Sequence, residues 1–198
     1  EIKEENFYFL KHKYYAYMGE KTIKHKSTGS PEDNDSVPCF IAIYDPTSGI
    51  HWAIPISSQV AKYKAIYQSK VARYKVCDTI VFGEVLGFER AFLIQNMLPI
   101  TEEFVGDIYL DKNNIEVRVV ESLNKELTTK AKKVLALQKK GMKLIFGDVF
   151  GMEAKLKNND MTKESTPEEN ITGEIVITEE VTTTVKVTIT QEARGSSS

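Results

Sequence analysis

Over the first hundred residues, apolar and polar positions group into short blocks that read as strands. NFYFL at 6 to 10 predicts a first strand, and HKYYAY at 12 to 17 predicts its continuation as strand or as an aromatic turn. PCFIAIY at 38 to 44 and IHWAIPI at 50 to 56 are apolar runs on either side of DPTSG. The Asp-Pro and Ser-Gly steps of that linker predict a tight antiparallel hairpin. DTIVFGEVL at 78 to 86 and ERAFLIQNM at 89 to 97 predict a second hairpin that turns near Gly87. Between the hairpins the period changes: Val60, Tyr63, Ile66, Tyr67, Val71 and Tyr74 share one sector of a helix at 100° per residue.

The longest helical signal runs from 115 to 140, where Val120, Leu123, Leu127, Ala131, Val134 and Leu135 keep helical spacing. Gly141 supplies its stop, and Lys139 and Lys140 suit the negative end of the helix dipole. GMKLIFGDVFGMEAKLKN then predicts a short strand or turn and a closing helix, with Met142 and Met152 as core filler. EKTIKHKSTGSPEDNDS, at 20 to 36, reads as a polar loop. The pattern as a whole predicts an α+β fold, a twisted antiparallel β-sheet flanked by helices. We expect one domain over 1 to 158, followed by an acidic, Thr-rich tail over 159 to 198. Thr184, Lys186, Thr188 and Thr190 of the tail alternate with Val185, Val187 and Ile189, as in an extra strand or hairpin, and RGSSS reads as a flexible end.

Composition adds bounds. The 198 residues, 41% hydrophobic and 27% charged, suffice for one good core. No apolar run is long enough to cross a bilayer, and the opening EIKEEN has no apolar signal region, so a cytoplasmic location is the expectation. Cys39 and Cys77 are expected as buried free thiols, and they offer no zinc spacing with the three histidines. The formal net charge of −2 hides an asymmetry. From Asp160 onward there are eight acidic residues against three basic ones, which leaves a mildly basic body.

That basic character concentrates in PISSQVAKYKAIYQSKVARYK, 55 to 75, where Lys62, Lys64, Lys70, Arg73 and Lys75 occur with no acidic residue and with Tyr63, Tyr67 and Tyr74 interleaved. Lysine stems flanking a half-buried stripe are common on ordinary surface helices. Ser57 and Ser58 change the picture. A hydroxyl pair at a helix start, with free N–H groups and Lys62 one turn on, has the parts to hold a phosphodiester. Metal-free RNA cleavage needs a base for the 2′-OH proton, an acid for the departing 5′-oxygen and donors for the charged phosphorane. Lys11, Lys13, Tyr14, Tyr15, Ser57, Ser58 and Lys62 are the candidates, and His12 with His51 is a competing acid and base pair. The chain has no Gly-rich phosphate loop followed by Lys-Ser or Lys-Thr, no G-x-S-x-G elbow and no His-Glu-x-x-His helix. Asp107, Asp111 and Glu116 are too loosely spaced for a metal site, and no cofactor is expected.

FYFLKHKYYAY, PCFIAIY, HWAIPISS and DTIVFGEVLGFERAFLIQNMLPI resemble segments of the protein toxins of type III toxin–antitoxin systems. This is the ToxN/AbiQ family, and the likeness is greatest to its CptN-like branch. It spans residues 7 to about 156, and the PISS element and the aromatic opening are its most specific parts. The resemblance implies a MazF/Kid-like fold and metal-independent cleavage of single-stranded RNA to 2′,3′-cyclic phosphate and 5′-hydroxyl ends. It further implies restraint by a repeat-derived pseudoknot RNA antitoxin that the toxin processes and with which it forms a ring-like complex. The substrates would be cellular or phage mRNA, in a bacterial cytoplasm and with no membrane involved. By position, Tyr14 matches the family's early active-site tyrosine, and Ser57 and Ser58 match its paired hydroxyl residues. Val60 stands where relatives place a lysine, which makes Lys62 the nearest substitute. Lys24 or Lys26 stands in for a basic residue near Pro38. Lys11, Lys13, Lys24, Lys26, Lys64, Lys70 and Arg73 are the expected RNA contacts. The alternative is a non-catalytic RNA-binding module using the same basic helix. A protein-interaction domain that uses the tail as an edge strand is a third reading.

Overall fold

The computed structural model describes residues 2–19 and 30–164, with side chains to Asn158. The expected tail strand, Lys24 and Lys26 lie outside the described residues. Seven strands form one antiparallel sheet, built from β1 (Phe7–Lys11), β2 (Asn34–Asp45), β3 (Ile50–Ser57), β4 (Val81–Val85), β5 (Phe88–Phe92), β6 (Leu98–Ile100) and β7 (Val105–Ile108). Their order is β4-β5-β3-β2-β1-β7, with β6 also paired to β3. Four helices flank the sheet, α1 (His12–Met18), α2 (Val60–Tyr74), α3 (Glu121–Lys139) and α4 (Val149–Glu164), so the α+β architecture is as expected.

Both hairpins form where the turn residues place them. Asp45 closes the first by accepting the Thr47 N–H at 3.0 Å and the Ser48 hydroxyl at 2.9 Å, and Gly49 supplies φ 67°. Leu86 and Gly87, with φ of 54° and 78°, form the two-residue turn of the second. Phe7, Phe40 and Phe92, fully buried on three different strands, meet at ring-centroid distances of 5.3, 6.1 and 6.2 Å and anchor the core. Leu123, Leu127, Ala131, Val134 and Leu135 of α3 join it on one helical stripe. Cys39 and Cys77 are buried free thiols, as expected. Among the described residues no helix is long and apolar enough to cross a membrane.

Four expectations change. HKYYAY forms α1 rather than strand or turn: Met18 falls three and four residues after Tyr15 and Tyr14, so the three make one buried helical stripe, and Gly19 ends the helix at φ 88°. The long helix begins at Glu121, not near 115, because IEVRVV is rich in β-branched residues and pairs back on the chain: Leu110 bridges Glu116, and Val117 N–H donates to the Tyr109 carbonyl at 3.0 Å. The sequence pattern does not predict β7, a short edge strand on β1 tied to β2 by Asn34, whose side chain bonds both the Asp107 carboxylate (2.7 Å) and its N–H (3.1 Å). Met152 is buried, whereas Met142 is exposed just beyond the α3 terminus and fills no core.

Candidate functional site

The strand register gathers the expected residues at one end of the sheet. Cys39 stands opposite Pro55, and Lys11 opposite Asn34, so the C-terminal ends of β3 and β1 both lie beside the N-terminal half of β2. Ser57 is the last residue of β3 and pairs with Ala91 of β5; Ser58 follows at an exposed bend. The residue that caps α2 is Gln59, not either serine. The Ser57 hydroxyl accepts the Gln59 N–H at 3.1 Å, and α2 starts at Val60 with no side-chain hydrogen bond to its first turn. The Val60 N–H turns back to the Ser58 carbonyl at 2.9 Å, and the N–H groups of the turn that follows lie at the positive end of the helix dipole.

Helix α2 buries none of its residues. Val60, Tyr63, Ile66, Tyr67 and Val71 are half-buried and Tyr74 is exposed, and among the described residues the helix rests chiefly on β5. Point contacts hold it instead. Tyr67 packs edge-on against Phe82 at 5.7 Å, and Lys64 pairs with Glu89 at 2.7 Å. Lys70 turns inward, donating to Thr79 Oγ1 at 2.8 Å and Gln95 Oε1 at 2.7 Å, and burial pulls its pKa down. Of the cations expected to contact RNA, Lys70 is thus a strut under α2 and Lys64 is committed to an ion pair. Lys62 and Arg73 are exposed; each lies over the ring of its neighbouring tyrosine, at 5.4 and 5.1 Å, with no carboxylate partner among the described residues.

At the β1 to α1 junction, Lys11 and Lys13 both bind the exposed Glu32 carboxylate, at 3.0 and 2.9 Å, and hold its pKa below the usual range. They share the sheet end with Ser57, each already facing an anion. Tyr14 is not brought to this surface. It is fully buried, its hydroxyl donates to the Pro99 carbonyl at 2.7 Å, and burial holds its pKa well above that of a free phenol. Pro99 pairs with Trp52, five residues and about 16 Å back along β3 from Ser57. Tyr15 is likewise buried and donates to Asp35 Oδ2 at 2.8 Å.

The histidine pair does not form. His12 sits beside Lys11, its backbone N–H donating to the Asp33 carbonyl, while His51 stands opposite Tyr44 near the far end of β2. The two are separated by most of a strand of 12 residues. His51 is buried and stacked on Tyr44 at 4.5 Å, and burial lowers its pKa.

Arg90 carried no signal in the sequence. The β3 to β5 register ends at Ser57 opposite Ala91; Arg90 is the next residue of β5 and, paired with Gly83, alternates to the hairpin face that meets Leu123, away from α2. Its guanidinium has no carboxylate partner among the described residues and lies over the ring of Phe88 at 5.3 Å. Only strand pairing, which a linear reading does not contain, brings this residue's backbone near the end of β3.

No protein-family model and no curated protein matches the sequence. Among solved structures the chain is similar to AbiQ, described as a lactococcal anti-phage endoribonuclease belonging to the type-III toxin-antitoxin system. The TM-score is 0.59 and the identity 14%, over 80% of this chain and 99% of that one. At this identity the likeness is one of fold, and the antiparallel sheet with flanking helices implied by the sequence resemblance is the fold observed: this chain shares the architecture of AbiQ.

Proposed function

We infer that this protein is an endoribonuclease toxin of a type III toxin–antitoxin system. The observation that carries the reading is the fold shared with AbiQ, together with the end of β3, where Ser58, the start of α2 without a side-chain cap and Lys62 without a carboxylate partner among the described residues occur together. In the proposed reaction the 2′-hydroxyl loses its proton and attacks the adjacent phosphorus. The bond to the 5′-oxygen breaks, and that oxygen takes up a proton. The products are a 2′,3′-cyclic phosphate and a 5′-hydroxyl, and no metal is required.

Ser58 and the N–H groups of α2 hold the phosphate and the charge that develops on it. Ser57 shapes the turn that presents them. Lys62, assisted by Lys11 or Lys13 once Glu32 is displaced, serves the proton transfers. Tyr14 supports the sheet from beneath and exchanges no proton. Arg73 and the loop lysines Lys24 and Lys26 guide the RNA backbone.

The natural inhibitor in this reading is a pseudoknot RNA, cut by the toxin from a repeat precursor and bound in a ring-like complex in a bacterial cytoplasm. Residues 1 to 158 form the toxin domain and 159 to 198 an appended tail. Incubation with single-stranded RNA in EDTA tests the reading. Specific cuts with cyclic phosphate ends support it, and RNA that is bound but intact supports a binding module instead.

A further inference from the structure

Lys70 is a cation placed where the fold offers it no counter-charge. It turns inward from α2, half-buried, and its Nζ meets Thr79 Oγ1 at 2.8 Å and Gln95 Oε1 at 2.7 Å. Both acceptors are neutral and sit on buried residues. Gln95 is fixed from its backbone, its N–H on the Thr79 carbonyl at 3.0 Å and its carbonyl accepting the Phe146 N–H at 2.8 Å. Among the described residues no carboxylate pairs with Lys70: Asp78 is committed to Lys133 at 2.6 Å and Glu89 to Lys64 at 2.7 Å. The other titratable groups nearby are the Cys77 thiol, whose sulfur lies 3.6 Å from the same Thr79 hydroxyl, and Arg73, one turn along α2. An ammonium so placed gives up hydration with no ion pair to offset it, and burial pulls its pKa below the ordinary lysine value.

The donor count favours the same protonation state. An ammonium carries three N–H groups, whereas a neutral amine carries two and a lone pair. Thr79 and Gln95 therefore satisfy the neutral amine in full and leave its lone pair unengaged. We propose that Lys70 is a nucleophilic lysine, a modification site for activated acyl groups of the acyl phosphate or acyl thioester class. The neutral Nζ attacks the acyl carbon and the C–N bond forms. The C–O bond to phosphate, or the C–S bond of the thioester, breaks; the leaving group keeps the electron pair, and Nζ releases one proton to solvent. The product amide retains a single N–H, so it serves Thr79 or Gln95 but not both. Because α2 buries none of its residues and Lys70 ties it to Thr79 and Gln95, acylation loosens the helix. The site does not depend on RNA cleavage. An effect of acylation on cleavage, through the seating of α2, rests on the reading of Ser58 as the place where RNA is held.

The test exposes the full chain, near neutral pH, to acetyl phosphate in one arm and to acetyl-coenzyme A in the other, and follows each lysine by peptide mass spectrometry. Lys62 and Lys75, exposed on the same stretch of chain, are the internal references. Lys70 is expected to acetylate at least about threefold faster than either, since each unit of lowered pKa gives about tenfold more neutral amine, offset in part by weaker intrinsic nucleophilicity. The faster arm identifies the donor as acyl phosphate or thioester. Gln95→Glu keeps the shape of the side chain and sets a carboxylate on Nζ, so it is expected to bring the Lys70 rate down to the reference rate or below. Where that variant does not fold, the wild-type pH profile decides: acetylation of Lys70 should rise at lower pH than that of Lys62 and Lys75. Amides of α2 should exchange hydrogen faster in the acetylated protein, and unchanged exchange overturns the loosening. The proposal is overturned if Lys70 reacts no faster than the references in both arms, if a folded Gln95→Glu protein keeps the wild-type rate, or if the pH profiles coincide.

Discussion

The Ser57 hydroxyl accepts the backbone N–H of Gln59 at 3.1 Å, so of the two adjacent serines one is spent on the turn and the other is not. Ser57→Ala should therefore lose about 0.5–1.5 kcal/mol of stability and part of the cleavage rate, as the turn loosens. Ser58→Ala should melt like the wild type and lose about 100-fold or more in cleavage rate, the scale of a donor aimed at developing charge. Paired thermal melts and single-turnover cleavage check the contrast. Equal effects in both variants would mean the serines share one role.

Glu32 occupies two of the lysines proposed to contact RNA. Its carboxylate faces Lys11 and Lys13 at 3.0 and 2.9 Å from an exposed position, where in the proposed reading it would compete with phosphate. Glu32→Gln should raise RNA affinity and steepen the dependence of log affinity on log salt by up to about two. Anisotropy titrations at several salt concentrations read both quantities. Unchanged affinity would place Lys11 and Lys13 outside the RNA path.

Stability should carry an acid limb from His51. Burial lowers its pKa below the ordinary 6.5, so the unfolded chain binds the proton more readily than the folded one. The stabilisation is complete above about pH 6.5 and is lost as the pH falls through the depressed folded value. His51→Phe keeps an aromatic ring on Tyr44 and should flatten the melting temperature between about pH 5 and 6.5. An identical slope in the variant would assign the limb to other groups.

Much of this structure is written in local signals, and the exceptions share a cause. The first hairpin is legible because Asp45, Pro46 and Gly49 specify its turn whatever lies around them. Helix α1 is not, since Tyr14, Tyr15 and Tyr17 favour strands by propensity and are drawn into helix by distant partners: Tyr14 by Pro99 and Phe104, Tyr15 by Asp35. The start of α3 is hidden because Ile115 to Val120 satisfy both an amphipathic helix and a β-branched extended segment, and pairing with Tyr109 and Leu110 decides it. In the candidate site, Ser57, Ser58 and Lys62 stand out because they are adjacent in the chain. Lys70 reads as a free cation until Thr79 and Gln95 are seen to bind it.

Gly83 marks where α3 presses on the second hairpin. A Cβ at this position would overlap the Leu123 side chain, which is buried in the core. Gly83→Ala should cost about 1–3 kcal/mol, the range for overpacking, and Leu123→Ala in the same chain should recover part of it. A double-mutant cycle in urea measures the coupling. Strict additivity would show that the contact relaxes at no cost.

The central claim is that the end of β3 cleaves RNA. It is tested most directly by incubating the purified protein with single-stranded RNA in EDTA and identifying the ends by their susceptibility to kinase and phosphatase. The account predicts discrete cuts bearing 5′-hydroxyl and 2′,3′-cyclic phosphate ends, lost in Ser58→Ala. RNA left intact by the wild type, or cuts that persist unchanged in Ser58→Ala, would contradict it.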